Sequence, residues 1–288
     1  MFDTIIVPTD GSDQAHRALA TAAELARQHD ATVHVLTVVD SRFLGKATEI
    51  DDAEATASAD LAEFTAAVDT EGLSVTTGVR HGIPDEEIRT YATDHDADLV
   101  VMGTHGRTGV RRYVLGSVAE KVVRLSDVPV LTVHGTDGGA DVSFENILVP
   151  TDGSEGARAA ARPAAAVAKP TDATVHALSV VDVRSMGVDV RSDLILDELQ
   201  HVAQDAVGTI EDDLATEGVG SIRTEIVHGV PYQAIQAYVE DNDVDLVVMG
   251  THGRTGLERY LLGSVTEKLV RTAPVPVLTV RAPEEAEE

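Results

Sequence analysis

Cysteine is absent from the 288 residues. That excludes disulfides, thiolate metal centres and a cysteine nucleophile. Positive charge is scarce: 22 lysines and arginines, only four of them lysines, oppose 49 acidic residues, for a net charge of −27. Such a surface repels DNA, RNA and anionic membrane. The acids are spread along the chain rather than run together, so they read as a halophilic trait, in which screened, hydrated carboxylates resist precipitation at high intracellular salt. The exception is Glu284 to Glu288, an acidic tail expected to be disordered. No run of about 18 apolar residues occurs, and no charged-then-apolar segment opens the chain. A soluble, cytoplasmic protein is therefore expected. A phosphate-binding G-x4-G-K-[ST] loop is missing as well.

What the chain does contain, it contains twice. Val101-Met-Gly-Thr-His-Gly-Arg-Thr-Gly109 recurs letter for letter at Val248 to Gly256, and Leu-Gly-Ser-Val follows both after the same gap. Phe2-Asp-Thr-Ile-Ile-Val-Pro-Thr-Asp-Gly-Ser12 likewise matches Phe144 to Ser154. Two domains follow from such a repeat: residues 1–135 and 144–281, with 136–143 as a polar, glycine-rich linker and 282–288 as the tail. Between Ala31-Thr-Val-His34 and His81-Gly-Ile-Pro84 the first half is five residues shorter than the second, so the connection between strands two and three is the variable part.

Within each half, short β-branched runs alternate with longer alanine-rich segments of helical spacing. In the first half strands are expected near 3–8, 31–38, 73–79, 98–103 and 128–133, and helices near 13–29, 50–70, 84–96 and 117–126. Asp98-Leu-Val-Val-Met-Gly103 and Asp245-Leu-Val-Val-Met-Gly250 are apolar without alternation, as strands covered on both faces must be. The fold class expected is α/β: two tandem, doubly wound, Rossmann-like parallel-sheet domains of five strands each. Pro163 falls inside the first helix of the second half, where a kink or late start is expected.

In an open parallel sheet a ligand sits outside the carboxyl ends of the strands, where the strand order reverses. Three features fall at such ends: Thr9 to Ser12, Val38 to Asp40 and Gly103 to Gly106, with Thr151 to Ser154, Val180 to Asp182 and Gly250 to Gly253 as counterparts. The glycines at 103, 106, 109 and 116 allow close backbone approach and positive φ, and Ser117 opens a helix whose free N–H groups favour an anion. Asp10, which can only accept hydrogen bonds, suits a ribose hydroxyl. A structural explanation stands beside each feature. Ser117-Val-Ala-Glu120 and Ser264-Val-Thr-Glu267 fit capping boxes, Asp-Gly-Ser is a common turn and N-cap, and His81 and His228 read as local turn residues.

The full spacing is more specific than its parts. Gly103-x2-Gly106-x9-Gly116-Ser117 and Gly250-x2-Gly253-x9-Gly263-Ser264 fit G-x2-G-x9-G-[ST], the signature of ATP-binding members of the universal stress protein family. The resemblance covers nearly the whole chain, including the opening Ile-Ile-Val-Pro-Thr-Asp-Gly-Ser and the closing Pro-Val-Leu-Thr-Val at 129–133 and 276–280. It implies that Asp10 and Asp152 line the nucleoside end and that Val39 and Val181 meet adenine through their backbone. It places phosphate contacts on Gly103, Gly106, Gly116 and Ser117, on Gly250, Gly253, Gly263 and Ser264, and on Arg107 and Arg254. Thr9, Met102, Val118, Thr151, Met249 and Val265 complete the expected nucleotide-binding set. The implied cofactor is ATP, alone or with magnesium, with AMP or another adenine nucleotide as alternatives. Members commonly dimerise through the last strand, so an intramolecular pairing of Val130 to Val133 with Val277 to Val280 is implied, along with a homodimer and an unnamed protein partner.

ATP pyrophosphatases with a related sheet carry a Ser-Gly-Gly-x-Asp-Ser type loop after strand one, and Thr-Asp-Gly-Ser is not that loop. No carboxylate and histidine are visibly placed for general acid and base work, and no catalytic or metal-binding residue is assigned. The leading expectation is nucleotide-dependent protein interaction in a stress response. The alternatives are weak ATP hydrolysis assisted by His105 or His252, and an interaction module whose loops only cap helices.

Overall fold

A computed structural model describes residues 2–43, 47–105, 115–134, 143–182, 193–253 and 262–282. It divides into two compact units, Met1–Val142 and Ser143–Glu288.

The first unit has the elements β1 (Thr4–Pro8), α1 (Asp13–His29), β2 (Thr32–Asp40), α2 (Ala47–Ala66), β3 (Ser74–Gly82), α3 (Pro84–Asp94), β4 (Leu99–Gly103), α4 (Ser117–Leu125) and β5 (Val130–Val133). Its strands lie in the order β3-β2-β1-β4-β5, and its ladders are parallel, with Ile5 opposite Val33 on one side and Leu99 on the other. The second unit repeats the plan with β6 (Asn146–Thr151), α5 (Glu155–Arg158), α6 (Ala161–Ala168), β7 (Thr174–Val181), α7 (Asp193–Thr216), β8 (Ser221–His228), α8 (Pro231–Asp241), β9 (Leu246–Gly250), α9 (Ser264–Thr272) and β10 (Val277–Val280). Its order is β8-β7-β6-β9-β10, again parallel. Each unit is thus a doubly wound sheet whose order reverses between its first and fourth strands.

The central strands are apolar on both faces because helices cover both. Ile5, Ile6, Val7, Leu99, Val100 and Val101 are buried, as are Ile147, Leu148, Val149, Leu246, Val247 and Val248. Alanine lets the covering helices lie close. In α1, Ala15, Ala18, Leu19, Ala22, Ala23, Leu25 and Ala26 form the buried stripe, at the i, i+3, i+4 spacing of one helical face. Aspartate also does structural work inside each unit. Asp98 Oδ2 accepts the N–H groups of Asp3 (2.7 Å) and Thr4 (3.0 Å), and Asp245 Oδ2 does the same for Glu145 (3.0 Å) and Asn146 (2.9 Å). These pairs fix where the first strand of each sheet starts relative to the fourth.

Several local expectations are refined. Pro163 produces a break: α5 ends at Arg158 and α6 starts at Ala161. Proline has no N–H to donate back to the Ala159 carbonyl, and the Ala160 N–H turns instead to Ala157 O at 3.2 Å. His81 and His228 are not turn residues; each lies in the last two positions of a strand, paired with Val39 and Val181. Their polar surroundings and the following Gly suggested a turn, but the strands run further than the hydrophobic pattern. In the connection between the second and third strands, α7 has 24 residues against 20 in α2.

Candidate functional site

Among the described residues, each unit has a pocket at the carboxyl ends of its strands, at the reversal point. In the first unit it measures about 330 Å3. The ends of β1 (Pro8, Thr9, Asp10), β2 (Leu36, Val38) and β4 (Met102, Gly103, Thr104, His105) form one wall, with Pro84 and Ile88 of α3 and Gly116 to Ala119 at the head of α4 opposite. In the second unit the pocket measures about 260 Å3, with Pro150 to Asp152, Leu178, Val180, Pro231, Ile235, Met249, Gly250, His252, Gly253 and Gly263 to Thr266 in the same places.

The turn after the first strand is built by its own side chains. Thr9 Oγ1 accepts the Gly11 N–H (3.0 Å), Asp10 Oδ1 accepts the Ser12 N–H (3.1 Å), and Ser12 Oγ caps α1 by accepting the Ala15 N–H (3.3 Å). Thr151, Asp152 and Ser154 repeat these bonds at 3.1, 3.0 and 3.2 Å. The turn bends back because Gly11 and Gly153 sit at φ 75° and 78°. Asp10 and Asp152 stay exposed at the mouth, each with one carboxylate oxygen committed to its turn.

The far end of the pocket is the head of α4 or α9, and here two expectations are corrected. Gly116 and Gly263, not the serines, are the N-caps, with no side-chain cap bond in either case. The capping boxes therefore do not form: Ser117 and Ser264 are the first helical residues and are exposed. The Glu120 N–H bonds the Gly116 carbonyl (2.8 Å) instead of a serine hydroxyl, as the Glu267 N–H bonds that of Gly263 (2.8 Å). Nor do these glycines use positive φ, since Gly116 lies at −62° and Gly263 at −58°. Glycine eases a close approach: the N–H groups of Gly116 and Gly263 donate to the carbonyls of Thr104 (2.7 Å) and Thr251 (2.8 Å), and a Cβ at either position would stand a tight 3.2 or 3.1 Å from that oxygen. A helix capped by glycine leaves its first N–H groups without a side-chain partner. Among the described residues, Ser117, Val118 and Ala119, like Ser264, Val265 and Thr266, have no acceptor for these donors.

The histidine of each loop lines its pocket. Thr104 Oγ1 and His105 Nδ1 lie 3.0 Å apart, as do Thr251 Oγ1 and His252 Nδ1. Both Nε2 atoms are enclosed without a partner among the described residues. Burial lowers the His105 pKa, so its ring is neutral at pH 7. Its Nδ1 neighbour is a hydroxyl, an arrangement suited to hydrogen bonding rather than to orienting a general base.

Of the expected site residues, Thr9, Asp10, Met102, Gly103, Gly116, Ser117 and Val118 come together in the first pocket, and Thr151, Asp152, Met249, Gly250, Gly253, Gly263, Ser264 and Val265 in the second. Gly106, Arg107 and Arg254 lie outside the described residues. Val39 and Val181 do not line the pockets. Side chains alternate along a strand, so Leu36 with Val38, and Leu178 with Val180, form the wall. The Val181 carbonyl already accepts the Gly229 N–H at 3.1 Å. The sequence reading put Val38 at a strand end but counted neither it nor Leu36, Pro84 and Ile88 among the site residues. Their identity with Leu178, Val180, Pro231 and Ile235 when the halves are superposed was the available signal.

The family model described as "Universal stress protein family" matches residues 1–134 and again 143–281. A universal stress protein of Methanocaldococcus jannaschii is 41% identical over 143 residues, 49% of this chain and 84% of that one. A universal stress protein structure from Archaeoglobus fulgidus aligns at a TM-score of 0.75 with 24% identity, over 97% of this chain and 98% of that one. A Pseudomonas aeruginosa protein of unknown function aligns at 0.66 with 19% identity, over 98% and 93%. These two solved structures share the fold. The chain belongs to the universal stress protein family, and it carries that domain in tandem. Among the described residues no helix is long and apolar enough to cross a membrane.

Proposed function

We propose that this tandem universal stress protein binds an adenine nucleotide, ATP alone or with magnesium, in each unit. The phosphates lie at the heads of α4 and α9, and the nucleoside lies toward Asp10 and Asp152. The observation that carries this reading is the pocket itself, formed twice at the reversal point of a parallel sheet and closed by a helix whose first N–H groups have no partner among the described residues. The described lining holds no lysine or arginine, so on this reading the helix heads and loop N–H groups meet the phosphates, assisted by Arg107 and Arg254. Asp10 and Asp152 at the pocket mouths set the orientation, because a carboxylate repels phosphate and accepts from ribose hydroxyls.

Occupancy on this reading stabilises the folded units and alters their contacts with another protein in the stress response. The test is thermal unfolding of purified protein in high salt with ATP and magnesium. At a nucleotide concentration 100 times the dissociation constant, each unit gains about 2.7 kcal/mol. An unchanged melting temperature, together with no nucleotide released on denaturing fresh protein, refutes the proposal.

A further inference from the structure

We propose that Gln14 is a positioning residue for the first glycine loop, and that the two nucleotide sites are therefore unequal, the second binding more tightly. This rests on the nucleotide-binding reading above.

The strand-to-loop passage Gly-Thr-His is identical in the two units, but its support differs. In the first, Gln14 of α1 reaches across with one atom: its Oε1 accepts the His105 N–H at 2.8 Å and the Thr104 hydroxyl at 3.2 Å. Superposing the repeats puts Gly156 of α5 where Gln14 stands, so the second loop has no such acceptor. Main chain takes its place. A Cβ on Gly156 would overlap the His252 carbonyl oxygen, and one on Gly250 would overlap the Gly156 carbonyl oxygen. Helix and loop are in backbone contact there. Thr266, where the first unit has Ala119, adds a buried hydroxyl that donates to the Gly250 carbonyl at 2.9 Å.

The consequence for binding comes from what each support can do. A glutamine side chain has rotatable bonds, and when it swings away the His105 N–H loses its acceptor, the Thr104 hydroxyl keeps only His105 Nδ1, and the Gly103 to His105 passage loses its tie to α1. Backbone packed on backbone has no rotamer to lose. The Gly250 to His252 passage is therefore held in one geometry before any ligand arrives, and it gives up less freedom on binding. The first pays part of the ligand's interaction energy to hold Gln14 in place.

Titration calorimetry of the full chain with ATP and magnesium separates the possibilities. Wild-type protein should show two classes of site. Gln14→Met keeps the packing of the side-chain stem against Gly103 but removes the acceptor; it should weaken only the looser class, roughly tenfold, as expected for one lost hydrogen-bonding group. Gln14→Glu, which retains an acceptor oxygen, should keep the His105 amide protected from hydrogen exchange, whereas Gln14→Met should not. Gly156→Ala should instead weaken the tighter class. Two equal sites in the wild type, or a Gln14→Met protein with both affinities intact, overturns the inference while leaving nucleotide binding standing. Absence of any binding by the wild type defeats both.

Discussion

In the first unit the end of the fourth strand is steadied by a side chain, Gln14, and the facing helices are tied by an ion pair between Lys121 and Asp85 at 3.0 Å. In the second unit the same strand end rests on the main chain of Gly156, and Lys268 lies over the ring of Tyr232, 4.3 Å from its centroid. Val101 to Gly109 and Val248 to Gly256 are the same in sequence. The divergence lies one layer behind, among residues that do not line the pockets. A binding loop can stay fixed in sequence while its support changes, provided that each support leaves the loop N–H groups and the helix head where they were.

The largest effects should come from the glycines that permit backbone contact. Gly250→Ala sets a methyl against the Gly156 carbonyl and the Ala157 nitrogen, none of which can turn aside. It should destabilise the second unit by about 3 kcal/mol in denaturant unfolding. Gly103→Ala meets the Cβ of Gln14 at 2.8 Å and the helix backbone behind it at 3.2 Å, and α1 can shift a little. About 1–2 kcal/mol is expected there, and equal losses at the two positions would erase the difference in support.

The lysines come next. Asp85 is 7% exposed at its side chain and Lys121 41%. Lys121→Met therefore leaves a buried carboxylate without its ammonium partner, and should cost about 1–2 kcal/mol. Lys268→Met removes only a cation from an aromatic face and should cost about 0.5 kcal/mol. A loss at Lys268 as large as that at Lys121 would show the two contacts to be energetically alike.

The smallest effect expected is on pH dependence. His34 and His176 stand at equivalent places in β2 and β7, with Nδ1 bonded to the hydroxyls of Tyr91 (3.2 Å) and Tyr238 (2.9 Å). Burial lowers both histidine pKa values below 6.5; His95 adds to this at His34, while Arg223 lowers and Glu225 raises that of His176. The unfolded chain thus takes up these protons first as pH falls. Their contribution to stability is complete above about pH 6.5 and declines below it. His176 is the more enclosed, at 1% exposure. Unfolding between pH 7.5 and 5.5 should therefore be less steep in a His176→Asn variant than in a His34→Asn variant.

The repeat and the doubly wound, parallel class of each unit were legible because each rests on a local signal, identical strings and two-faced apolar strands, and the glycine spacing pointed to the strand ends where the pockets lie. The head of α4 was not. Ser117-Val-Ala-Glu120 has the spacing of a capping box, but the Gly116 N–H is drawn to the Thr104 carbonyl, and this long-range bond moves the cap one residue back. Val39 was expected from the family resemblance, as a backbone contact, and nothing in the apolar run of β2 showed that the side chains of Leu36 and Val38 form the wall. Gln14 carried no local signal at all. Only its mismatch with Gly156, in halves otherwise alike, marks it.

Native mass spectrometry of the full chain with ATP and magnesium tests the central claim most directly. The wild type should carry two nucleotides, Gly116→Val and Gly263→Val one each, and the folded double variant none. A folded double variant that still carries nucleotide, or a wild type that carries none, would contradict the assignment of the two pockets.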